Sequence, residues 1–280
     1  SKIDVDRPYW RAKLIKYASD PYENGVLPRH ALLALAGLKD ATVIDELPDL
    51  TQSQDELVMQ EFVSMCAELA PNNEKSVDAF IKLIRANDLH GRYGLFEITE
   101  LGALKHFLRT YNTDENFRRE FLDDSSVFKE KDQKIVDHIR VVADEELRNL
   151  AVEAITKSVH YSIASTRGKS EFVVGLMSFL SEGHPDFITD MIRRIHESEN
   201  GDTSLYFSQD FFQEILSIEN VGLYIDAMLS AGVQPHVVMN TLVRIKWKGD
   251  EISNSIYEAG REKIPDAYRQ YEEAQNRSTT

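Results

Sequence analysis

The chain has 280 residues, 42% of them hydrophobic, enough for one elongated domain or two compact ones. Its 32 Lys and Arg against 47 Asp and Glu give a formal net charge of -15, a surface that repels phosphate backbones and anionic lipid, so neither duplex DNA nor a membrane is an expected partner. The one cysteine, Cys66, excludes an intrachain disulfide and offers no basis for a cysteine-based zinc site.

No apolar run reaches the roughly 20 residues that span a bilayer, and no signal or transit peptide is visible. The chain opens Ser-Lys rather than Met, the pattern of an excerpt from a longer protein, in which a removed targeting segment would leave no trace. Cys66 sits in the apolar run Phe62-Val63-Ser64-Met65-Cys66 and reads as a buried core thiol. That fits a cytoplasmic or otherwise intracellular setting.

Residues 6–20 read as a first helix, with Pro8 in its first turn and Trp10, Leu14 and Tyr17 on one face. Pro21, Asn24 and Gly25 break the chain. Pro28 opens a second helix through Ala31, Leu32, Leu35 and Leu38, apolar nearly all round and therefore expected to be well buried. Ser53 and Glu56 form a capping box leading into Val58, Phe62, Met65, Cys66 and Leu69. After the Pro71-Asn72-Asn73 turn, Val77, Phe80, Ile81 and Ile84 give another helical stripe.

Residues 87–94 are rich in turn formers and read as a loop before a helix over 95–109. Asn112-Thr113-Asp114 is the next turn. Phe117 and Phe121 belong to a short helix, and Ile135, Ile139 and Val142 to another. Asp144 then caps the longest helix, with Glu145 and Glu146 in its first turn, where the macrodipole favours negative charge. Leu147, Leu150, Ala151, Ala154, Ile155, Val159 and Ile163 make one apolar stripe along it.

Thr166-Arg167-Gly168-Lys169 separates a second half. Helices follow from Phe172 to Leu180, from Pro185 through Ile195, and from Leu223 to Leu229. Asn200-Gly201-Asp202 forms a loop, and Phe211, Phe212, Ile215 and Leu216 a further apolar group. Pro235 opens Val237 to Val243, and the tail from Asp250 is helical with Tyr257, Tyr268 and Tyr271. No segment shows strand alternation. The order Asp144, Leu147-Arg148, Ala151, Ala154-Ile155 resembles the second helix of a HEAT or armadillo repeat, and Gly102-Ala103-Leu104 resembles the Gly-Ala-Leu step of an armadillo helix. Helix pairs recurring about every 40 residues are what such arrays show. The resemblance implies an all-α fold, an α-solenoid in which HEAT/armadillo-like pairs form a right-handed superhelix. It divides the chain into an N-terminal helix and turn (1–27), the repeats (28–249) and a C-terminal helix with a frayed tail (250–280). A non-repetitive helical bundle is the alternative the same pattern allows.

Motifs for chemistry are sparse. Gly168-Lys169-Ser170 matches the end of a P-loop, but Ile163 stands where that motif needs glycine, and a helix precedes it rather than a strand. His184-Pro185-Asp186 matches the tripeptide of J-domains without the basic helix that precedes it there; proline at a first helical position accounts for it. No HExxH pair and no nucleophile elbow is present. Asn276-Arg277-Ser278 fits the glycosylation sequon, a pattern frequent by chance. No catalytic residue, metal ligand or cofactor is assigned, and no enzyme activity is expected.

Arg244, Lys246, Trp247 and Lys248 place three cations beside an indole in an acidic chain. They are the candidate partner-binding residues: a local positive island that attracts an acidic segment of another protein, with Trp247 as its anchor. The competing reading packs Trp247 against the C-terminal tyrosines and leaves the lysines as helix-end cations. Gly232-Val233-Gln234-Pro235 with Asn240-Thr241-Leu242 resembles a pentatricopeptide repeat junction, which would imply single-stranded RNA as the ligand of this part. The leading expectation is a protein-protein interaction scaffold, adaptor or sensing module; RNA binding is the alternative.

Overall fold

The computed structural model describes residues 7–20, 25–86, 88–123, 129–142, 144–164, 171–181, 189, 192–193, 197 and 216–278. Among these, every regular element is helical, with fifteen α-helices and one 3-10 turn and no strand. The expected loops at 166–169 and 200–202, the tripeptide at His184, most of the helix at Pro185 and the group Phe211 to Ile215 lie outside the described residues. The chain divides into two compact units, Ser1–Asp124 with Glu130–Leu147 and Ser125–Lys129 with Arg148–Thr280.

The first unit begins with α1 (Arg7–Ala18) packed on α2 (Val26–Gly37), which packs in turn on α4 (Glu56–Leu69). The short α3 (Val43–Glu46) rests on α5 (Glu74–Arg85), the helix from which the unit's core is built. Val77, Phe80, Ile81 and Ile84 of α5 are all buried, as their spacing predicts. α5 also meets α6 (Leu89–Leu95), α7 (Leu101–Thr113) and α8 (Glu115–Asp123). Phe107, Tyr111, Phe117 and Phe121 interlock between α7 and α8 with ring centroids 5.6–6.3 Å apart. Each such pair adds roughly 0.5–1.5 kcal/mol beyond its buried area. The buried Arg92 guanidinium covers the Phe121 ring at 4.7 Å. α9 (Lys129–Val141) buries Ile135 and Ile139 and ends before Val142.

Several local expectations change. Residues 89–95 are a helix, not loop, because the Asp88 carboxylate accepts the His90 N–H at 2.9 Å and caps it. Its glycines serve close packing: a Cβ on Gly91 or Gly94 would collide with Phe80. The following helix starts at Leu101 rather than at Leu95. Asp55, not Ser53, caps α4, accepting from Leu57 and Val58 at 2.9 and 3.3 Å, while the Ser53 hydroxyl supports Asp55 itself. α2 is not buried all round. Val26 and Leu33 are exposed while Ala31, Leu32 and Leu35 fill the core, since neighbours cover one side only.

Several helix ends of the first unit are tied by side chains from elsewhere in the chain. Asn72 accepts the N–H groups of Thr99 and Glu100 at 2.8 and 2.9 Å and so caps α7 from a distant turn. Asn73 caps α5 through Lys75 and donates to Asp45 at 2.9 Å. The Lys75 ammonium donates to the Ile44 carbonyl at 2.8 Å, and Arg118 to the Tyr111 carbonyl at 2.7 Å. Helix ends leave backbone groups unsatisfied, and these side chains satisfy them.

α10 (Glu145–Ala164) begins in the first unit and continues in the second. Asp144 caps it through Leu147 at 2.9 Å, as expected. Leu147, Ala151, Ala154 and Ile155 are buried, but Leu150 is only half-buried; Val152 takes the core position instead. The side chains of Val159 and Ile163 lie outside those described. In the second unit α11 (Glu171–Ser181) buries Phe172, Val173, Leu176 and Met177. α12 (Val221–Ser230), α13 (Pro235–Lys246) and α14 (Glu251–Arg261) pack on one another, and α15 (Pro265–Ser278) rests on α13. The tail is thus two helices rather than one, broken at Ile264 where Pro265 begins the second. Gly260 lets α14 close on α13: a Cβ there would lie 2.6 Å from the Leu242 side chain.

Candidate partner-binding surface

The turn between α13 and α14 is built from a short run of residues with distinct local roles. Pro235 starts α13 at a position where its missing N–H costs nothing. Val237, Val238, Met239, Leu242, Val243 and Ile245 are buried over most of the helix surface, His236 and Arg244 lie on its more open side, and Lys246 is exposed in the last turn. Trp247 ends the helix, its N–H bonded to the Val243 carbonyl at 3.1 Å. Gly249 takes the left-handed conformation, φ 76°, that turns the chain. Asp250 then caps α14, accepting from the Ser253 N–H at 2.7 Å and its hydroxyl at 2.8 Å. Those bonds, reinforced by the Lys248 charge, hold the Asp250 carboxyl below its ordinary range.

The four residues singled out by sequence do not act alike. Lys246 folds back over the buried Tyr257 ring, its ammonium 4.2 Å from the centroid. Burial pushes the Tyr257 hydroxyl well above its ordinary range, so the ring stays neutral beneath the cation. Lys246 thus lies over one of the C-terminal tyrosines, and Trp247 is 74% exposed. Lys248 is exposed in the turn, and Arg244 is half-buried on α13. Sequence reasoning missed Ile252, which is 68% exposed in the first turn of α14. The buried residues of α14 are Ser253, Ile256, Tyr257 and Gly260, and Ile252, four residues before Ile256, falls on the same i, i+4 row, so its spacing alone gives no sign of its exposure. Trp247 and Ile252 thus put two large apolar side chains in water on either side of one turn, next to cations. Such a combination suits recognition of an acidic segment that carries apolar residues.

In the first unit α4 and α6 border a groove of about 520 Å³ lined by Ser64, Glu68, His90, Tyr93 and Glu97. The His90 imidazole bonds the Asp88 carboxylate at 2.9 Å, the same group that caps α6. Among the described residues no three His, Cys, Asp or Glu side chains gather as a metal ion would require. Among them, too, no helix is long and apolar enough to cross a membrane. Compared with known proteins, the chain matches no protein-family model and no curated protein sequence.

Proposed function

We propose that this chain is a protein-protein interaction module without catalytic activity, a scaffold, adaptor or sensing element, and that the α13–α14 turn docks an acidic, partly apolar segment of its partner. The observation that carries this reading is Trp247, 74% exposed between Lys246 and Lys248 in a chain of net charge -15. Trp is enriched among residues that dominate binding energy, and here Trp247 shares the turn with the exposed Ile252. Lysines beside it steer an acidic partner and raise its association rate.

We propose in addition that the helices stack as HEAT/armadillo-like pairs in a right-handed superhelix. The support is the succession of helices, with no strand among the described residues. Asn72 to Thr99, Asn73 to Asp45, His106 to Asp78, Lys134 to Glu97 and Lys263 to Asp226 span 27, 28, 28, 37 and 37 residues. These bonds tie together segments separated by no more than one helix pair of about 40 residues.

Emission from Trp247 tests the binding claim, in a Trp10→Phe background where Trp247 is the sole indole. A short peptide alternating glutamate with leucine and phenylalanine is the probe, and oligo(U) represents single-stranded RNA. The expected result is a blue shift with the peptide and none with oligo(U). A shift with oligo(U) alone, weakening steeply with salt, would replace the protein-partner reading with the RNA one.

A further inference from the structure

The chain contains two tryptophans and buries neither: Trp247 is 74% exposed and Trp10 is 50% exposed. Tryptophan is on average a highly buried residue, so a second exposed one calls for its own account. Trp10 lies on α1, in the first unit. α1 carries Arg7, Arg11, Lys13 and Lys16 and no acidic residue, inside a chain of net charge -15.

The geometry gathers these groups on one face. The Lys13 ammonium lies 5.9 Å from the Tyr9 ring, 5.4 Å from the Trp10 ring and 5.7 Å from the Tyr17 ring. Tyr9, 61% exposed, meets Trp10 edge to face at 5.4 Å. Arg11 is drawn away to Asp40, at 2.8 Å, and to Glu46, and Arg7 donates to the Leu38 carbonyl. The cations left for a ligand are Lys13 and Lys16.

We propose that this face of α1 docks an acidic segment of a partner protein, its carboxylates on Lys13 and Lys16 and its apolar residues on Tyr9 and Trp10. Charge complementarity selects the occupant: a cluster of cations on a helix with no acid of its own, in a chain whose net charge repels acidic segments elsewhere. A membrane surface fits less well. Ala18 of α1 is turned into the protein, and the exposed face is cationic and aromatic with no continuous aliphatic strip to insert.

The test uses the full chain with Trp247→Phe, so that Trp10 alone reports, titrated with the alternating glutamate, leucine and phenylalanine peptide. Oligo(U) and phosphatidylserine vesicles form parallel arms. The expected result is a Trp10 emission shift with the peptide only, an affinity that falls with salt, and a roughly tenfold loss of affinity in Lys13→Glu/Lys16→Glu. Lys16→Glu alone, at an exposed position, shows a smaller loss in the same direction and covers the case in which the double variant misfolds. The proposal is overturned if the peptide leaves Trp10 emission unchanged, if the variants bind as the parent does, or if oligo(U) or vesicles produce the shift in its place.

Discussion

The Lys246 ammonium stands 4.2 Å over the buried Tyr257 ring, while the neighbouring Trp247 is exposed. The contact links the end of α13 to α14. It is a stability element inside a candidate binding surface, and the two roles separate by mutation. Lys246→Ala should destabilise the second unit by about 0.5–2 kcal/mol, the range of a cation held over an aromatic ring. Lys248→Ala, in the exposed turn, should stay within about 0.5 kcal/mol of the parent. Urea denaturation midpoints of the two variants provide the comparison.

Asn72 caps α7 with a side chain from a turn 27 residues earlier. Asn72→Ala should cost about 1–2 kcal/mol, the worth of a strong cap. Asn72→Asp keeps the accepting oxygens and should recover most of it. Equal losses for both variants, read by thermal denaturation, would mean that the amide nitrogen rather than the cap carries the effect.

The stripe along α10 is uneven in a testable way. Leu147 and Ile155 are buried while Leu150 is only half-buried. Leu147→Ala and Ile155→Ala should each cost about 2–5 kcal/mol, and Leu150→Ala distinctly less. Denaturation midpoints falling in the reverse order would show that the helix presents a different face to the core.

Acid should weaken the start of α10. The Leu147 N–H and the Lys105 ammonium hold the Asp144 carboxyl below its usual range, and Lys105 and Arg109 do the same for Glu146. A lowered folded-state value stabilises the fold above the unfolded values, about 3.9 and 4.3, and that contribution disappears as pH falls through the folded ones. The Asp144→Asn/Glu146→Gln variant should therefore differ most from the parent at neutral pH and converge with it in strong acid. A difference that persists unchanged in strong acid would assign the effect to packing instead of charge.

Cys66 is buried, and desolvation pushes its thiol up to about 12. It should resist a disulfide reagent in the native protein and react promptly once urea unfolds the chain. Fast native labelling would place α4 outside the core.

Much of this architecture is legible in sequence, because helical periodicity reports which side of each helix is covered. The stripe of α5 and the Asp144 cap are read correctly on that basis. What is not legible is how many sides have neighbours. α2 looks buried all round because Val26 and Leu33 are apolar, yet the fold covers only part of it. Trp10, on the same apparent stripe as Leu14, is half exposed for a similar reason. Glycine is ambiguous too: Gly91 and Gly94 signal a turn to local rules but serve contact with Phe80, a partner that no local rule supplies. At the candidate surface the cations and Trp247 are visible in sequence, whereas the contact of Lys246 with Tyr257 depends on where Tyr257 lies in space.

The central claim is that Lys246, Trp247 and Lys248 receive an acidic protein segment. Its most direct test is the association rate of the alternating glutamate, leucine and phenylalanine peptide, followed by stopped-flow emission of Trp247 in the Trp10→Phe background. Lys246→Glu/Lys248→Glu should associate more slowly at low salt, with the gap closing as salt screens the charges. Equal rates for variant and parent at every salt concentration would contradict the claim.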